Sequence, residues 1–362
     1  MQQVNCVPDG AAGGRGRRPR GTHGAMNVPL SLLDLALVGP GETAADALAG
    51  SVRIAQLAEA RGFARVWYAE HHNMAAIASS APAVLIAHVA AHTKTIRLGA
   101  GGVMLPNHAP LSIAEQYGTL ATLHPGRIEL GLGRAPGTDQ VTLRALRRDA
   151  HAAETFPQDV LELQGYLSDR TLVPGVEATP GKGTRVPLYV LGSSTFGARL
   201  AARLGLPYGF ASHFAPGSLR EAVALYRATF KPSEQLAKPY VIAGVNALVA
   251  ETDADAQREL TAVRRARVGW FLGRGRTTFS DDEADALLAS PQGAFITEMM
   301  RYAAVGTPDT VRAYLADFAA LADADELVVS PAGLSVAARL RCVALLPPGD
   351  GFNISTFADS TG

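Results

Sequence analysis

Short apolar runs alternate with longer amphipathic segments along most of the chain. The short runs are rich in β-branched and aliphatic residues, and the longer segments place apolar residues at helical spacing, a pattern typical of parallel βα units. Predicted strands lie at 30–38, 65–68, 96–105, 128–133, 188–192, 208–211, 241–249 and 326–329. Predicted helices lie at 46–61, 82–92, 110–123, 143–167, 196–204, 218–230, 253–268 and 310–321.

Eight βα units favour a closed barrel over an open doubly wound sheet, because polar and Gly-rich sequence clusters after the strands. Residues 269–304 break the alternation, so we predict an insertion between the seventh and eighth units that forms a lid over the barrel mouth. The expected fold class is α/β, with one (β/α)8 TIM barrel over residues 27–346. Residues 1–26 are expected to be a disordered extension, and residues 347–362 a loose tail.

The charge balance narrows the class of partner. The 33 basic and 33 acidic residues cancel, which argues against binding to nucleic acid or to an anionic membrane. No run of about 18 apolar residues lacks charge or turn breakers, so no membrane span is predicted. Cys6 and Cys342 form no CxxC pair, which argues against a disulfide framework. We expect a soluble cytoplasmic protein that acts on a small molecule.

Two histidines follow the second predicted strand. Because adjacent residues point to opposite sides of a strand, at most one of His71 and His72 enters the barrel mouth. Zinc would require about three protein ligands, which the motifs do not supply, so no metal site is predicted. A neutral histidine can instead transfer a proton near neutral pH. The alternative is a pair of structural histidines that hydrogen-bond to neighbouring backbone.

Glycines interrupt the third predicted strand at Gly101 and Gly102. Glycines within a strand allow a flat group to approach the backbone, so a planar cofactor would fit there. Val103, Met104 and Leu105, which follow directly, are then expected to lie near the ring of that cofactor. The alternative is a bend or bulge that helps to close the barrel.

An anion site is predicted after the fourth and fifth strands. Arg134 follows strand four, and its guanidinium fork suits a phosphate. Hydroxyls and free backbone N–H groups at a helix start also bind anions, and strand five runs into such a start at Ser193, Ser194, Thr195 and Gly197. The alternative is an ordinary Ser/Thr helix cap. The glycines around Arg134 lack the spacing of a dinucleotide fingerprint, so no NAD(P)H site is predicted.

Taken together, these segments resemble the bacterial luciferase-like family of flavin-dependent monooxygenases, in particular its single-subunit members similar to alkanal monooxygenases. The resemblance spans about residues 29–346. It is carried, in the family's order, by LLDLALVGPGETAADAL, WYAEHHNMAAIASSAPAVLIAHVA, RLGAGGVMLPNHAPLSIAEQYGTLATLHPGRIELGLGRAPGTD and VLGSSTFGARLAARLGLP. The sequence departs from the luciferases proper at Gly133, where they carry a reactive cysteine, so light emission is not expected.

The resemblance implies a role for each of these residues. His71 matches the active-site histidine beside the flavin, and His72 lies next to it. Gly101 and Gly102 match a non-prolyl cis peptide beneath the isoalloxazine ring. The residues that match the flavin phosphate site are Arg134, Ser193, Ser194, Thr195 and Gly197.

The resemblance also implies an activity. Reduced FMN, supplied by a separate flavin reductase, reacts with O2 to give a C4a-peroxyflavin that oxygenates a small aldehyde-like or polyketide-like substrate. His71 would transfer a proton or hydrogen-bond to that species. Two alternatives remain: an F420-dependent hydride-transfer oxidoreductase of the same fold, and a non-catalytic flavin-binding protein. A homodimer is compatible with the third helix, which packs between subunits in luciferase-like dimers.

Overall fold

Parallel strands lie where the hydrophobic pattern predicts them. The structure is a computed structural model, which describes residues 28–135, 137–148, 150–273 and 277–346. The strands are β1 (Leu30–Asp34), β2 (Arg65–Tyr68), β3 (Arg97–Met104), β4 (Ile128–Gly133), β5 (Leu188–Gly192), β6 (Tyr208–Phe210), β7 (Val241–Val249), β8 (Ala303–Gly306) and β9 (Glu326–Pro331). The predictions for residues 1–26 and 347–362 lie outside the described residues.

Eight of these strands close into a barrel. Strands β1 to β6 pair in sequence order, β9 pairs with both β1 and β7, and β7 completes the ring by pairing with β6. The predicted (β/α)8 barrel is therefore confirmed. Strand β8 is an addition that the sequence pattern did not predict, and it pairs with Asn246–Val249 of β7 outside the ring.

Helices cover the outside of the barrel. They are α1 (Ala44–Ala60), α2 (Pro82–Ala91), α3 (Pro110–Leu123), α4 (Gln140–Ala145), α5 (Phe156–Leu167), α6 (Thr195–Leu204), α7 (Leu219–Thr229), α8 (Asp253–Phe271), α9 (Asp281–Leu288), α10 (Ala294–Met299), α11 (Pro308–Ala322) and α12 (Val336–Leu345). Within the described ranges, no helix combines the length and the apolar character needed to cross a bilayer.

The prediction of one long helix over 143–167 is wrong. The chain instead forms α4 and α5, with a short 3-10 turn at Ala150–Ala153 between them. Arg147 has a φ of 57°, a left-handed conformation that ends α4. Pro157 lies in the first turn of α5, where its missing N–H costs nothing. The sequence suggested one helix because α4 and α5 each bury one face, so apolar residues recur at helical spacing on both sides of the break.

Strand β1 is shorter than predicted because the chain turns at Ala36. The Asp34 carboxylate accepts a hydrogen bond from the Ala36 N–H at 2.8 Å, and Ala36 has a φ of 47°. Leu37 then forms an isolated antiparallel bridge with Ile77. The loop after β1 therefore lies against the loop after β2, at the carboxyl end of the barrel.

The connection from β7 to β9 contains more than one helix. Helix α8 is followed by α9, α10 and β8 before α11 returns the chain to the barrel. Arg265 of α8 forms ion pairs with Asp281 and Asp285, which hold α9 against α8. Helices α9 and α10 and the start of β8 lie within the segment 269–304 that we predicted to be an insertion.

An ionic layer fills the amino end of the barrel. The Arg65 guanidinium, which is fully buried, donates to Glu129 at 2.7 Å and to Glu326 at 2.9 Å. Burial raises the pKa of the Glu129 carboxyl, but Arg65 and Arg97 outweigh burial and hold that pKa below its usual value. Tyr189 also contacts this layer through its hydroxyl, 2.6 Å from Arg65. Among the described residues, side chains therefore fill this end, and the candidate site lies at the carboxyl end.

Candidate active site

A buried carboxylate joins the ends of β2 and β3. One oxygen of Glu70 lies 2.8 Å from Nε2 of both His72 and His108, and the other accepts from the Met104 N–H at 3.0 Å. Because an ionised carboxylate only accepts, both imidazoles donate to it. Burial raises the pKa of Glu70, but these hydrogen bonds outweigh burial and leave that pKa below its usual value. Glu70 is therefore an anionic anchor for two histidines.

Hydrogen bonds connect the loop that contains Glu70 and His72 to the loop after β4. The Thr138 hydroxyl donates to the His72 carbonyl at 3.1 Å, and the Asn73 amide donates to Asp139 at 3.3 Å. The loop after β4 therefore packs on the loop after β2, across the end of β3. This arrangement places Arg134 on the same face of the barrel as His72.

His71 and His72 diverge, as expected for neighbours at a strand end. Whereas His72 is held by Glu70, the imidazole of His71 is close enough to His213 for their charges to interact. The His71 Nδ1 atom is buried and has no hydrogen-bond partner among the described residues. Burial lowers the pKa of His71, opposed by Glu70 and assisted by His72, so the imidazole is neutral near neutral pH.

The sequence analysis missed His213, which follows β6. Burial, the Arg267 charge and His71 together lower the pKa of His213 to about 4. The Asn246 amide donates to the His213 carbonyl at 2.7 Å and holds the loop that carries it. Every candidate site residue was taken from the positions just past strands two to five, because residues at the carboxyl ends of barrel strands face the active site. The same rule applied to strand six would have identified His213.

The cis peptide between Gly101 and Gly102 is present, as predicted. The pairing of β3 with β4 also shifts register between Ala100 and Val103. A Cβ on Gly101 would lie 2.7 Å from the Trp67 Cβ, so a side chain would not fit there. The expectation that Val103 lies near a ring is not supported, because it is buried in the main core cluster.

Leu105 is likewise buried in that cluster, which lies between the barrel and its helices. Among the residues described, no group of three or more His, Cys, Asp or Glu side chains could hold a metal ion.

The predicted anion site assembles at the start of α6. The Arg134 guanidinium lies 4.1 Å from the centroid of the Phe196 ring, in the first turn of α6. Ser194 is the N-cap residue, but its hydroxyl makes no capping hydrogen bond, so the alternative of an ordinary Ser cap is not supported. Tyr208 donates to the Ser194 carbonyl at 2.9 Å and fixes this turn. The other predicted members, which follow β5 directly, are Ser193, Thr195 and Gly197.

These groups fit a phosphate. Ser193 and Ser194 are exposed, and the first N–H groups of a helix have no partner within it. A Cβ on Gly197 would lie 3.3 Å from the Tyr208 ring, so glycine lets the helix start lie close to β6. A guanidinium, free hydroxyls and a helix N-terminus form a donor set that complements a phosphate dianion.

Relatives of nearly the same length are known. The chain is 45% identical over 316 residues to a luciferase-like monooxygenase of Escherichia coli (strain K12), covering 87% of this chain and 94% of that protein. It is 36% identical over 269 residues to the N-acetyl-S-alkylcysteine monooxygenase of Bacillus subtilis (strain 168), covering 72% and 79%. The crystal structure of apo-MsnO8 is similar, with a TM-score of 0.79, 37% identity and coverage of 88% and 97%.

Two more distant structures share the fold. One is the oxygenating constituent of 3,6-diketocamphane monooxygenase of Pseudomonas putida in complex with FMN, with 16% identity, a TM-score of 0.65 and coverage of 89% of this chain and 98% of that one. The other is an F420-dependent secondary alcohol dehydrogenase, with 15% identity, a TM-score of 0.63 and coverage of 89% and 99%. The same barrel thus accommodates either cofactor.

The family assignment rests on the barrel as a whole. The sequence model of the luciferase-like monooxygenase family matches residues 28–325, from the start of β1 to the residue before β9. The match includes both histidines after β2, the glycine pair of β3 and the start of α6. This chain therefore belongs to the luciferase-like monooxygenases, oxidoreductases that incorporate molecular oxygen.

Proposed function

We propose that the protein is a monooxygenase that uses reduced FMN and O2 to oxygenate a small organic substrate, aldehyde-like or polyketide-like. The observation that carries the proposal is the position of Arg134 over Phe196, beside free hydroxyls at the start of α6. This anion site shares the barrel mouth with two neutral histidines, His71 and His213. A phosphate bound at this anion site would share the barrel mouth with those histidines.

The residues of the anion site bind and orient the cofactor. Arg134 pairs with the phosphate, and the hydroxyls of Ser193, Ser194 and Thr195 donate to its remaining oxygens. Reduced FMN, when bound, supplies the activation of O2, which no side chain can provide.

His71 handles the proton in this proposal. Its imidazole is neutral near neutral pH and carries a buried Nδ1 without a partner, so it can exchange a proton with a group at the mouth. His72 binds to the Glu70 anchor, and we assign it to holding the loop beside the cofactor. We assign the cis peptide between Gly101 and Gly102 to the surface that would lie beneath the flavin ring.

Further parts of the proposal concern partners. The reduced flavin comes from a separate flavin reductase, since the sequence lacks a dinucleotide fingerprint. Segment 269–304 excludes water from the mouth as a lid. We place the protein in the cytoplasm, where the thiol of Cys342, free and buried, stays reduced. A homodimer through α3 is the assembly we expect.

Cofactor binding is the decisive test. The purified protein is titrated with FMN and with F420, and flavin fluorescence and absorbance report each dissociation constant. We expect FMN to bind and, when reduced, to support O2 uptake and oxygenated product with a panel of aldehydes. Binding of F420 alone, with hydride transfer and no O2 uptake, would replace the proposal with the dehydrogenase alternative. Binding of FMN with no turnover for any substrate would support a non-catalytic flavin protein.

A further inference from the structure

Arg267 projects from α8 towards the barrel mouth. Its Nη2 lies 3.5 Å from the Asn246 side-chain oxygen, and its charge acts on His213. Asn246 is 1% exposed and lies in β7 two residues beyond Gly244, against which the His213 ring packs. Because residues two apart on a strand share a face, Asn246 points into the mouth as well. Arg267, Asn246 and His213 are therefore neighbours at the mouth.

Arg267, which is half-buried, differs from the two fully buried arginines. Arg65 pairs with two carboxylates, and Arg339 donates to three backbone carbonyl oxygens. Among the described residues, no carboxylate forms an ion pair with Arg267, and its one hydrogen-bond partner is the neutral amide of Asn246. A guanidinium removed from water without a counter-ion is costly, so a protein retains it where a ligand supplies the charge.

The charge at this position is single and permanent. Burial lowers the pKa of Arg267 to about 10, which still leaves the guanidinium protonated at neutral pH. His213 is neutral because its pKa is about 4, and Asn246 carries no charge. One fixed positive charge with an amide beside it matches a monoanion, and a guanidinium fork matches the two oxygens of a carboxylate.

We propose that Arg267 binds a carboxylate of the substrate, with Asn246 orienting the guanidinium, so that the enzyme prefers small organic acids to their neutral counterparts. This inference rests on the proposed function, in which the same mouth receives the flavin and the substrate. Arg134 holds the cofactor phosphate at the start of α6, whereas Arg267 lies on α8. The phosphate and the substrate carboxylate are therefore bound by different arginines.

The test compares medium-chain ω-oxo acids with their methyl esters in the FMN-loaded protein. With reduced FMN, we expect wild-type kcat/KM to favour the acid by roughly 10- to 100-fold, the range for a charge-assisted hydrogen-bonded pair. Arg267→Met should remove this preference by lowering kcat/KM for the acid much more than kcat/KM for the ester, and it should leave the dissociation constant of FMN unchanged. Arg267→Lys should restore part of it. The control Arg258→Met removes an exposed cation of α8 that pairs with Asp255, and it should keep the preference.

A second measurement does not depend on turnover. With oxidised FMN bound, the acid should raise the melting temperature of the wild type and of Arg258→Met, and the shift should disappear in Arg267→Met. Equal kcat/KM values of the wild type for acid and ester would overturn the inference while leaving the proposed function intact. Weaker FMN binding in Arg267→Met would also overturn it, because Arg267 would then belong to the flavin site. If FMN fails to bind at all, the proposed function fails. The role of Arg267 is then decided by whether the acid raises the melting temperature of the wild-type apoprotein but not that of Arg267→Met.

Discussion

The ring of His213, just after β6, lies directly against the backbone of Gly244 in the neighbouring strand β7. A Cβ atom on Gly244 would lie 2.2 Å from the His213 Nδ1, closer than any real contact. The absence of a side chain at Gly244 therefore allows this histidine to reach the barrel mouth.

Gly244→Ala should displace His213. We expect product formation to fall at least tenfold and stability to fall by about 1 to 3 kcal/mol, the usual cost of overpacking. FMN binding should change little because the anion site lies at α6. Gly217→Ala is the control, since a Cβ there meets no atom within 4 Å. Wild-type turnover in Gly244→Ala would show that the position of His213 does not matter to the reaction.

Arg134→Ala should weaken FMN binding by roughly 2 to 4 kcal/mol, as expected for the loss of a charge-assisted contact to phosphate. Arg134→Lys should recover only part of the affinity, because an ammonium lacks the fork. Fluorescence titration measures the dissociation constants. The control is Arg199→Ala, which removes an exposed cation from α6, the helix whose start contributes to the anion site. An unchanged dissociation constant in Arg134→Ala would reject the phosphate site.

His71→Ala should leave FMN binding intact, cut product yield about 100-fold or more and raise the release of hydrogen peroxide. The reason is that its neutral imidazole, with a buried and unpartnered Nδ1, is assigned to proton handling. Product analysis and a peroxide assay measure both effects, with His88→Ala, an exposed position on α2, as control. Product and peroxide at wild-type levels would make His71 a structural residue.

Stability should depend on pH through His213. Its pKa is about 4 in the folded protein and 6.5 in the unfolded chain, so the unfolded chain binds the extra proton between these values. The free energy of unfolding therefore decreases as the pH falls from about 6.5 to about 4, by at most about 3 kcal/mol from this group. Arg267 and His71 face the ring and oppose its protonation.

The replacement His213→Asn tests this dependence. Urea unfolding near pH 7 and near pH 5 should show a smaller loss of stability in the variant than in the wild type. The effect of Glu59, whose pKa is lowered to about 2 from 4.5, lies at lower pH and should be unchanged. An equal loss of unfolding free energy in the two proteins between pH 7 and pH 5 would contradict the lowered pKa of His213.

Arg65→Met should destabilise the barrel by about 3 to 5 kcal/mol, because Glu129 and Glu326 would lose the cation that neutralises them in the closed amino end. Arg170→Met removes an exposed pairing with Glu234 and should cost less than about 1 kcal/mol. Urea unfolding compares the two variants. Equal effects would mean that the ionic layer is not needed for stability.

The sequence by itself determined the features that depend on local pattern. Alternating apolar runs and helical periods predicted the barrel strands and most helices, because side-chain periodicity reports which face is buried. The position after each strand predicted His71 and Arg134, and the resemblance to the luciferase-like family at the glycine pair predicted the cis peptide that β3 contains. The break between α4 and α5 was not visible, since it depends on the left-handed conformation of Arg147.

Only the tertiary structure decided which distant residues meet. The Arg65 layer joins residues 64 and 261 positions apart, and Glu70 collects His72 and His108 from separate strands. The placement of Arg267 beside His213 requires α8 to lie over the mouth and Gly244 to leave space for a ring. Periodicity carries no information about such pairs, because closure of the ring sets the distances between its strand ends.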